Sequence, residues 1–323
     1  MMNIIKYKNI SFVISSVLFL VSVILLATIG LKPGIDFTGG SLVELSFVGS
    51  RPSVQEMRDT LAPLSYGMIE TQPTGDDGYI LRMRFISEDE HQVLLSTVRN
   101  AFQTSTSSTI QIDATASTTV EAIAPSVIEQ RVETIGASIS SHLKSRSLYA
   151  GIAVILAIIA YVAYAFRRVS KPVQSWKYGV SAVIALIHDV TITMGVFVLL
   201  GKYAGVEVDI PFIVALLTIL GYSVNDTIVV FDRIRENLVS MGSDRLEQAI
   251  VDGVKSTLVR SFNTSFTTLL VLFAMYFFGG ESIKYFSLAL IVGIGFGTYS
   301  SIFLASPLLY SWQQLAIWRR GRG

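Results

Sequence analysis

The sequence predicts an α-helical integral membrane protein with six transmembrane helices and one small α+β domain of ferredoxin-like (βαββαβ) order after the first helix. Three observations carry this. Of 323 residues, 51% are hydrophobic and only 15% charged, where soluble domains carry about a quarter charged residues. Six stretches approach or exceed the roughly 20 apolar residues that cross a bilayer. Between the first and second stretch, strand-like and helix-like periodicities alternate.

The spans are read in order. The first runs from Ile10 to Leu31 and the second from Leu148 to Phe166. The third covers Tyr178 to Leu200, and the fourth Ile210 to Phe231. The fifth, Ser261 to Phe278, is short and opens with polar residues. The sixth covers Tyr285 to Leu309 and ends near Pro307, Tyr310 and Trp312. Lys6 and Lys8 precede the first span, as in a secretory signal. Its apolar run is longer than an h-region of about 7–15 residues, and no small-x-small site closes it well, so it reads as a retained helix. The resulting division is residues 1–9, a first helix at 10–31, an inserted domain at 32–124, a linker helix at 125–147, helices two to six within 148–311, and a terminal segment at 312–323.

Lysine and arginine set the orientation. Lys6 and Lys8 precede the first span; Arg167, Arg168, Lys171 and Lys177 lie between the second and third. Arg233, Arg235, Arg245, Lys255 and Arg260 lie between the fourth and fifth, and Arg319, Arg320 and Arg322 follow the sixth. Six alternating spans put these four segments on one side. Both termini are therefore expected in the cytoplasm, and Lys32 to about Ser147 outside it.

In the inserted domain, Ser41–Gly49 alternates, with Val43, Leu45 and Phe47 on one face. Ser53 and Glu56 form a capping box before Val54, Met57, Leu61 and Leu64. A strand near Met68–Thr71, a turn at Thr74–Gly78 and a strand at Tyr79–Ile86 follow. Ser87 caps a helix carrying Val93, Leu94, Val98 and Phe102, and Thr109–Val120 supplies a last strand. No pocket chemistry stands out, so contact or movement is the expected role, with a simple spacer as the alternative. Pro125–Ser147 reads as an amphipathic helix carrying Val127, Ile128, Val132, Ile135 and Ile139. Arg245–Leu258 reads as another, about 243–258, at the cytoplasmic surface.

Composition removes several functions. A net charge of +1 gives no basic surface for nucleic acid. Without cysteine there is no disulfide or thiolate chemistry. His91, His142 and His188 are too scattered for a histidine metal site, and no cofactor is expected.

Ionisable groups at membrane depth cost about 2.5–3.5 kcal/mol each on insertion scales, and so tend to mark pathways or proton relays. His188 and Asp189 sit mid-way along the third span, and Asn225 and Asp226 in the fourth. Arg260, Asn263 and Thr264 open the fifth. Thr218, Tyr222, Asn225 and Asp226 share one stripe by helical spacing. Such a stripe can hold water, and Asp226 in it can load and release a proton with Arg260 as charge partner. The alternative is a fixed Asp226–Arg260 ion pair between helices. His188 and Asp189 can equally bond to a neighbouring helix. Gly293 and Gly297 form a GxxxG, which is a packing signal.

Taken together, these segments resemble the SecD/SecF family of the RND superfamily, in its SecF branch. The resemblance rests on Gly34-Ile35-Asp36-Phe37-Thr38-Gly39-Gly40, on Ala185-Leu186-Ile187-His188-Asp189-Val190, on the run from Leu217 to Asn237 and on Arg260-Ser261-Phe262-Asn263-Thr264-Ser265. One departure is Ile135-Gly136-Ala137, where the family usually has Val-Gly-Pro; the rigid turn that proline would give is missing. The resemblance implies an RND-type helix bundle in the bacterial inner membrane. It implies partnership with SecD beside the SecYEG translocon, with YajC and YidC as further candidates. It further implies use of the proton motive force in late steps of preprotein export, with proton transfer at the positions of Asp226 and Arg260. Within the glycine motif, Gly34, Gly39 and Gly40 permit a sharp turn, and Asp36 is either a functional group or a turn residue.

Three rivals remain. A half-size efflux transporter is expected to carry larger outer domains, and a passive scaffold for SecD stays open. An intramembrane aspartyl protease using Asp189 and Asp226 is disfavoured, because Gly-x-Gly-Asp is absent and Asp36 lies in Asp-Phe-Thr-Gly. No enzyme activity is expected.

Overall fold

The computed structural model describes residues 4–48, 51–102, 127–165, 173–242 and 245–320. It divides into two compact units, Pro33–Lys144 and the remainder of the chain.

The smaller unit opens on a single helical turn, α2 (Ile35–Thr38), and continues with β1 (Gly40–Phe47), α3 (Val54–Leu61), β2 (Glu70–Thr74), β3 (Gly78–Met83), α4 (Glu88–Phe102) and β4 (Val127–Ile135). The sheet order is β2-β3-β1-β4 with antiparallel neighbours, the ferredoxin-like arrangement. The helices α3 and α4 both start on capping boxes. The Ser53 hydroxyl accepts from the Glu56 amide at 3.2 Å while Glu56 accepts from the Ser53 amide at 2.7 Å. Ser87 and Glu90 repeat the exchange at 3.3 and 3.0 Å. Val43, Leu45 and Phe47 point inward from β1 onto Met57, Leu61, Leu81, Leu94 and Val98. Entry to β1 depends on glycine. Gly39 has φ +73°, and at Gly40 (φ +132°) a side chain would approach the Met83 carbonyl oxygen to 2.6 Å.

One expectation about this region lies outside the described residues and one needs correction. The strand expected at Thr109–Val120 falls outside the described residues, and the fourth strand of the sheet is Val127–Ile135. That same segment is therefore not the first part of a linker helix. Its inward positions alternate but carry Glu129, Arg131 and Glu133, while Ile128 and Val132 face outward. With polarity inverted in this way, the apolar residues mimic helical spacing.

The larger unit holds α1 (Lys8–Thr28), the membrane part of α5 (Ala137–Ala165), α6 (Ser175–Ala204), α7 (Ile210–Met241), α8 (Leu246–Phe278) and α9 (Gly280–Ser300). A π-helical turn (Ser301–Ala305) and α10 (Ser306–Arg320) complete it. Among the described residues, six segments are long and apolar enough to span a membrane, the last being Ile283–Leu315 across the π-turn. Asp209 caps α7 through the Phe212 amide at 2.9 Å, and Gly205 closes α6 in a left-handed conformation.

The amphipathic helix expected at about 243–258 is not a separate element within its described residues. From Leu246 it is continuous with the fifth span in one 33-residue helix. Gly253 does not break it, because the glycine lets α8 close on α7, where a Cβ would meet the Ile234 Cα at 3.0 Å. The Asn237 amide also donates to the Ala249 carbonyl at 3.2 Å.

Candidate functional site

The centre of the helix bundle is polar. Asp226 projects from α7 and is 9% exposed. Its Oδ1 accepts from the Ser261 hydroxyl on α8, and its Oδ2 accepts from Ser301 in the π-turn at 2.5 Å. One side of this carboxylate is thus held by the partner helix of the α7–α8 hairpin. The other is held by a turn in which the helical ladder is interrupted.

That interruption has a local cause. Pro307 has no N–H, and its ring collides with the carbonyl of the residue four back, here Phe303. The ladder is reset through the wider π-turn just before it, and the Ser306 hydroxyl donates to the Ser301 carbonyl at 3.0 Å. Small residues then bring the turn close to its neighbours. A Cβ at Gly297 would lie 3.1 Å from the Ser223 Cβ, and one at Gly293 would overlap Ile219, whereas Gly295 faces open space.

Asp189 on α6 forms the second half of the centre. It has no exposed surface. Its Oδ2 accepts from Ser223 on α7 at 2.6 Å and from Ser300 at 2.7 Å, and His188 Nδ1 lies 2.9 Å from Oδ1. A third hydroxyl chain runs nearby, from Tyr222 to Ser265 at 3.3 Å and from Ser265 to Thr298 at 2.5 Å.

The residues singled out in the sequence separate in space. Asp226, Asp189 and His188 are buried, and Tyr222 faces α8. Thr218, Asn225, Arg260, Asn263 and Thr264 face outward. The stripe on α7 is therefore split: Asp226 turns into the bundle while Thr218 and Asn225 turn away. Among the described residues, no ion pair joins Asp226 to Arg260. Instead Arg260, one residue before Ser261, lines a cavity of about 260 Å³ with Ile228, Val229, Asp232, Arg233 and Thr257. Gly34, Asp36, Gly39 and Gly40 lie in the smaller unit at the α2–β1 turn, where the Thr38 hydroxyl donates to the Gly34 carbonyl at 3.1 Å.

Sequence reasoning missed Ser223, Ser261, Ser300 and Ser301, the donors that hold both carboxylates. Serine is common in membrane helices, and its spacing carries no signal by itself. Pro307 at the end of an apolar stretch was the one available pointer to the turn. Among the described residues there is no cluster of His, Cys, Asp or Glu that could hold a metal.

Residues 115–315 match the family described as protein export membrane protein SecD/SecF, C-terminal, and residues 24–49 match the SecD/SecF GG motif. The protein translocase subunit SecF of Thermobaculum terrenum is 38% identical, over 99% of this chain and 98% of the relative. That of Desulfurispirillum indicum is 38% identical over 95% of this chain and 90% of the relative. The crystal structure of SecDF from Thermus thermophilus, a translocon-associated membrane protein, superposes with a TM-score of 0.77 at 28% identity. The match covers 97% of this chain but 39% of the SecDF chain, so this chain spans about two fifths of that protein's length.

Proposed function

This chain belongs to the SecD/SecF family of protein-export membrane proteins, whose SecF relatives are protein translocase subunits, and we propose that it serves the translocase by carrying protons at Asp226. The observation that carries the reading is the Asp226 carboxylate itself. It is buried in the helix bundle and held by two hydroxyls from different elements rather than by a cation. A serine hydroxyl can donate to a charged carboxylate or accept from a protonated one, so the cradle accommodates both states. A lysine or arginine locked onto Asp226 would favour only the charged state.

Arg260 has the complementary role. Its side chain lines the cavity beside the start of the membrane part of α8, with its backbone one position from the serine that holds Asp226. From there it can approach Asp226 when the carboxylate is charged and withdraw when a proton arrives. Asn225, Thr218, Asn263 and Thr264 face outward on the same two helices. Polar side chains facing lipid are costly, which supports a partner covering them, and SecD is the partner the SecDF neighbour suggests. The distribution of Lys and Arg supports an inner-membrane orientation with both termini in the cytoplasm. On this reading the smaller unit lies outside, next to the SecYEG exit and the emerging preprotein, and proton movement through the bundle drives late steps of export.

The test is export of a secreted reporter in cells depleted of the native subunit and complemented at matched membrane levels. Asp226→Asn and Arg260→Met are expected to assemble with SecD and fail to restore export. Restoration to the wild-type level would make Asp226 a structural residue and leave the chain a scaffold.

A further inference from the structure

Proton carriage at Asp226 leaves a second buried acid unused. Asp189 has no exposed surface, and among the described residues its only ion-pair partner is the neighbouring His188, itself 4% exposed. The elements packed around it supply hydroxyls rather than charges: Ser223 from α7 and Ser300 from the end of α9, while α1 faces α6 with Ser22 at Gly195. His188 Nδ1 is committed to Asp189, yet among the described residues His188 Nε2 is buried with no hydrogen-bond partner. A ring nitrogen in this position is either a lone pair without a donor or an N–H without an acceptor, and both are costly in a dry interior. With a lone pair there, Nε2 can take up a proton; with an N–H there, it can donate to a water.

The π-turn connects this site to Asp226. Ser300 and Ser301 are consecutive, and each hydroxyl has a single proton to give. Ser300 reaches Asp189 Oδ2 at 2.7 Å and the Gly297 carbonyl at 3.1 Å. Ser301 reaches Asp226 Oδ2 at 2.5 Å and the Thr298 carbonyl at 3.0 Å. A charged carboxylate outcompetes a neutral carbonyl for such a proton, whereas a protonated carboxyl releases it. Each serine thus has two settings chosen by the charge of its acid, and both settings are anchored to one short turn held by Ser306.

We propose that His188 and Asp189 form a second proton-holding centre, coupled to Asp226 through the adjacent hydroxyls of Ser300 and Ser301. The coupling rests on the reading of Asp226 as a proton carrier; the second centre does not.

The experiment is infrared difference spectroscopy, acid minus alkaline, on the chain reconstituted with its SecD partner in proteoliposomes, with proton flux measured on the same samples. Asp226→Asn is expected to lose one titrating carboxyl band and keep another, which Asp189→Asn removes. Ser300→Ala and Asp189→Asn are each expected to displace the midpoint of the Asp226 band from its wild-type position, through the reset Ser301 hydroxyl. If Asp189→Asn does not assemble, His188→Gln is read instead, with the Asp189 band retained at a moved midpoint. A spectrum unchanged by Asp189→Asn, or an unmoved midpoint in His188→Gln, overturns the second centre. An Asp226 midpoint indifferent to Ser300→Ala overturns the coupling. Wild-type proton flux in Asp226→Asn with the Asp189 band still present would refute the carrier reading and leave the second centre standing.

Discussion

At the residue scale, the two carboxylates are legible in the sequence because charge at membrane depth is conspicuous, whereas the groups that hold them are not. Asp226 and Asp189 stand out in apolar spans; Ser223, Ser261, Ser300 and Ser301 do not, because a hydroxyl satisfies itself on its own helix as readily as on a neighbour. The glycines are intermediate. Gly293 and Gly297 are recognisable as a packing pair, but the sequence does not say that they face Ile219 and Ser223. This gives a sharp contrast within one helix. Gly297→Val drives a branched side chain against Ser223 and should destabilise the bundle by about 1–3 kcal/mol. Gly295→Val, which meets open space, should lie within about 0.5 kcal/mol of wild type. Thermal unfolding of the purified variants in one detergent reads both, and equal losses would mean that α9 does not pack on α7 through Gly297.

At the element scale, spans and capped helices were the easiest to read. Hydropathy locates all six spans, and the Ser53–Glu56 box places the start of α3 correctly. Helix ends beyond the apolar runs were harder: α7 continues to Met241 and α8 begins at Leu246, because the two pair with each other past the point where hydropathy falls. β4 was misread for the opposite reason, its inward face being polar.

The capping boxes also carry a pH dependence. The Ser53 backbone amide, with the Ser53 hydroxyl, holds the Glu56 carboxyl below the usual glutamate range. The Arg84 guanidinium, with the Ser87 amide, does the same for Glu90. A folded-state pKa below the unfolded one stabilises the fold above the unfolded value, about 4.3, and is lost as pH falls through the folded value. Glu56→Gln with Glu90→Gln should therefore lower the melting temperature of the smaller unit in the full chain at neutral pH, and the deficit should close as the buffer is acidified below about pH 4. A deficit of the same size at acid and neutral pH would show that the two glutamates act through packing instead.

At the scale of the whole molecule, the chain forms two compact units, one holding the buried Asp189–Asp226 centre and the other the four-stranded sheet. The family assignment was legible from four motifs, three of which fall on helices that build the Asp189–Asp226 centre, and the remaining one at the α2–β1 turn. The sequence does not reveal that the centre is closed by a π-turn from the sixth span, since only Pro307 hints at it. Proton carriage at Asp226 is the claim on which the functional account turns. The direct measurement is decay of an imposed pH gradient across proteoliposomes holding the chain with SecD, for wild type and Asp226→Asn. The account predicts that the variant is slower by at least about tenfold, the rate equivalent of about 1.4 kcal/mol on the barrier. Equal rates in the two would contradict it.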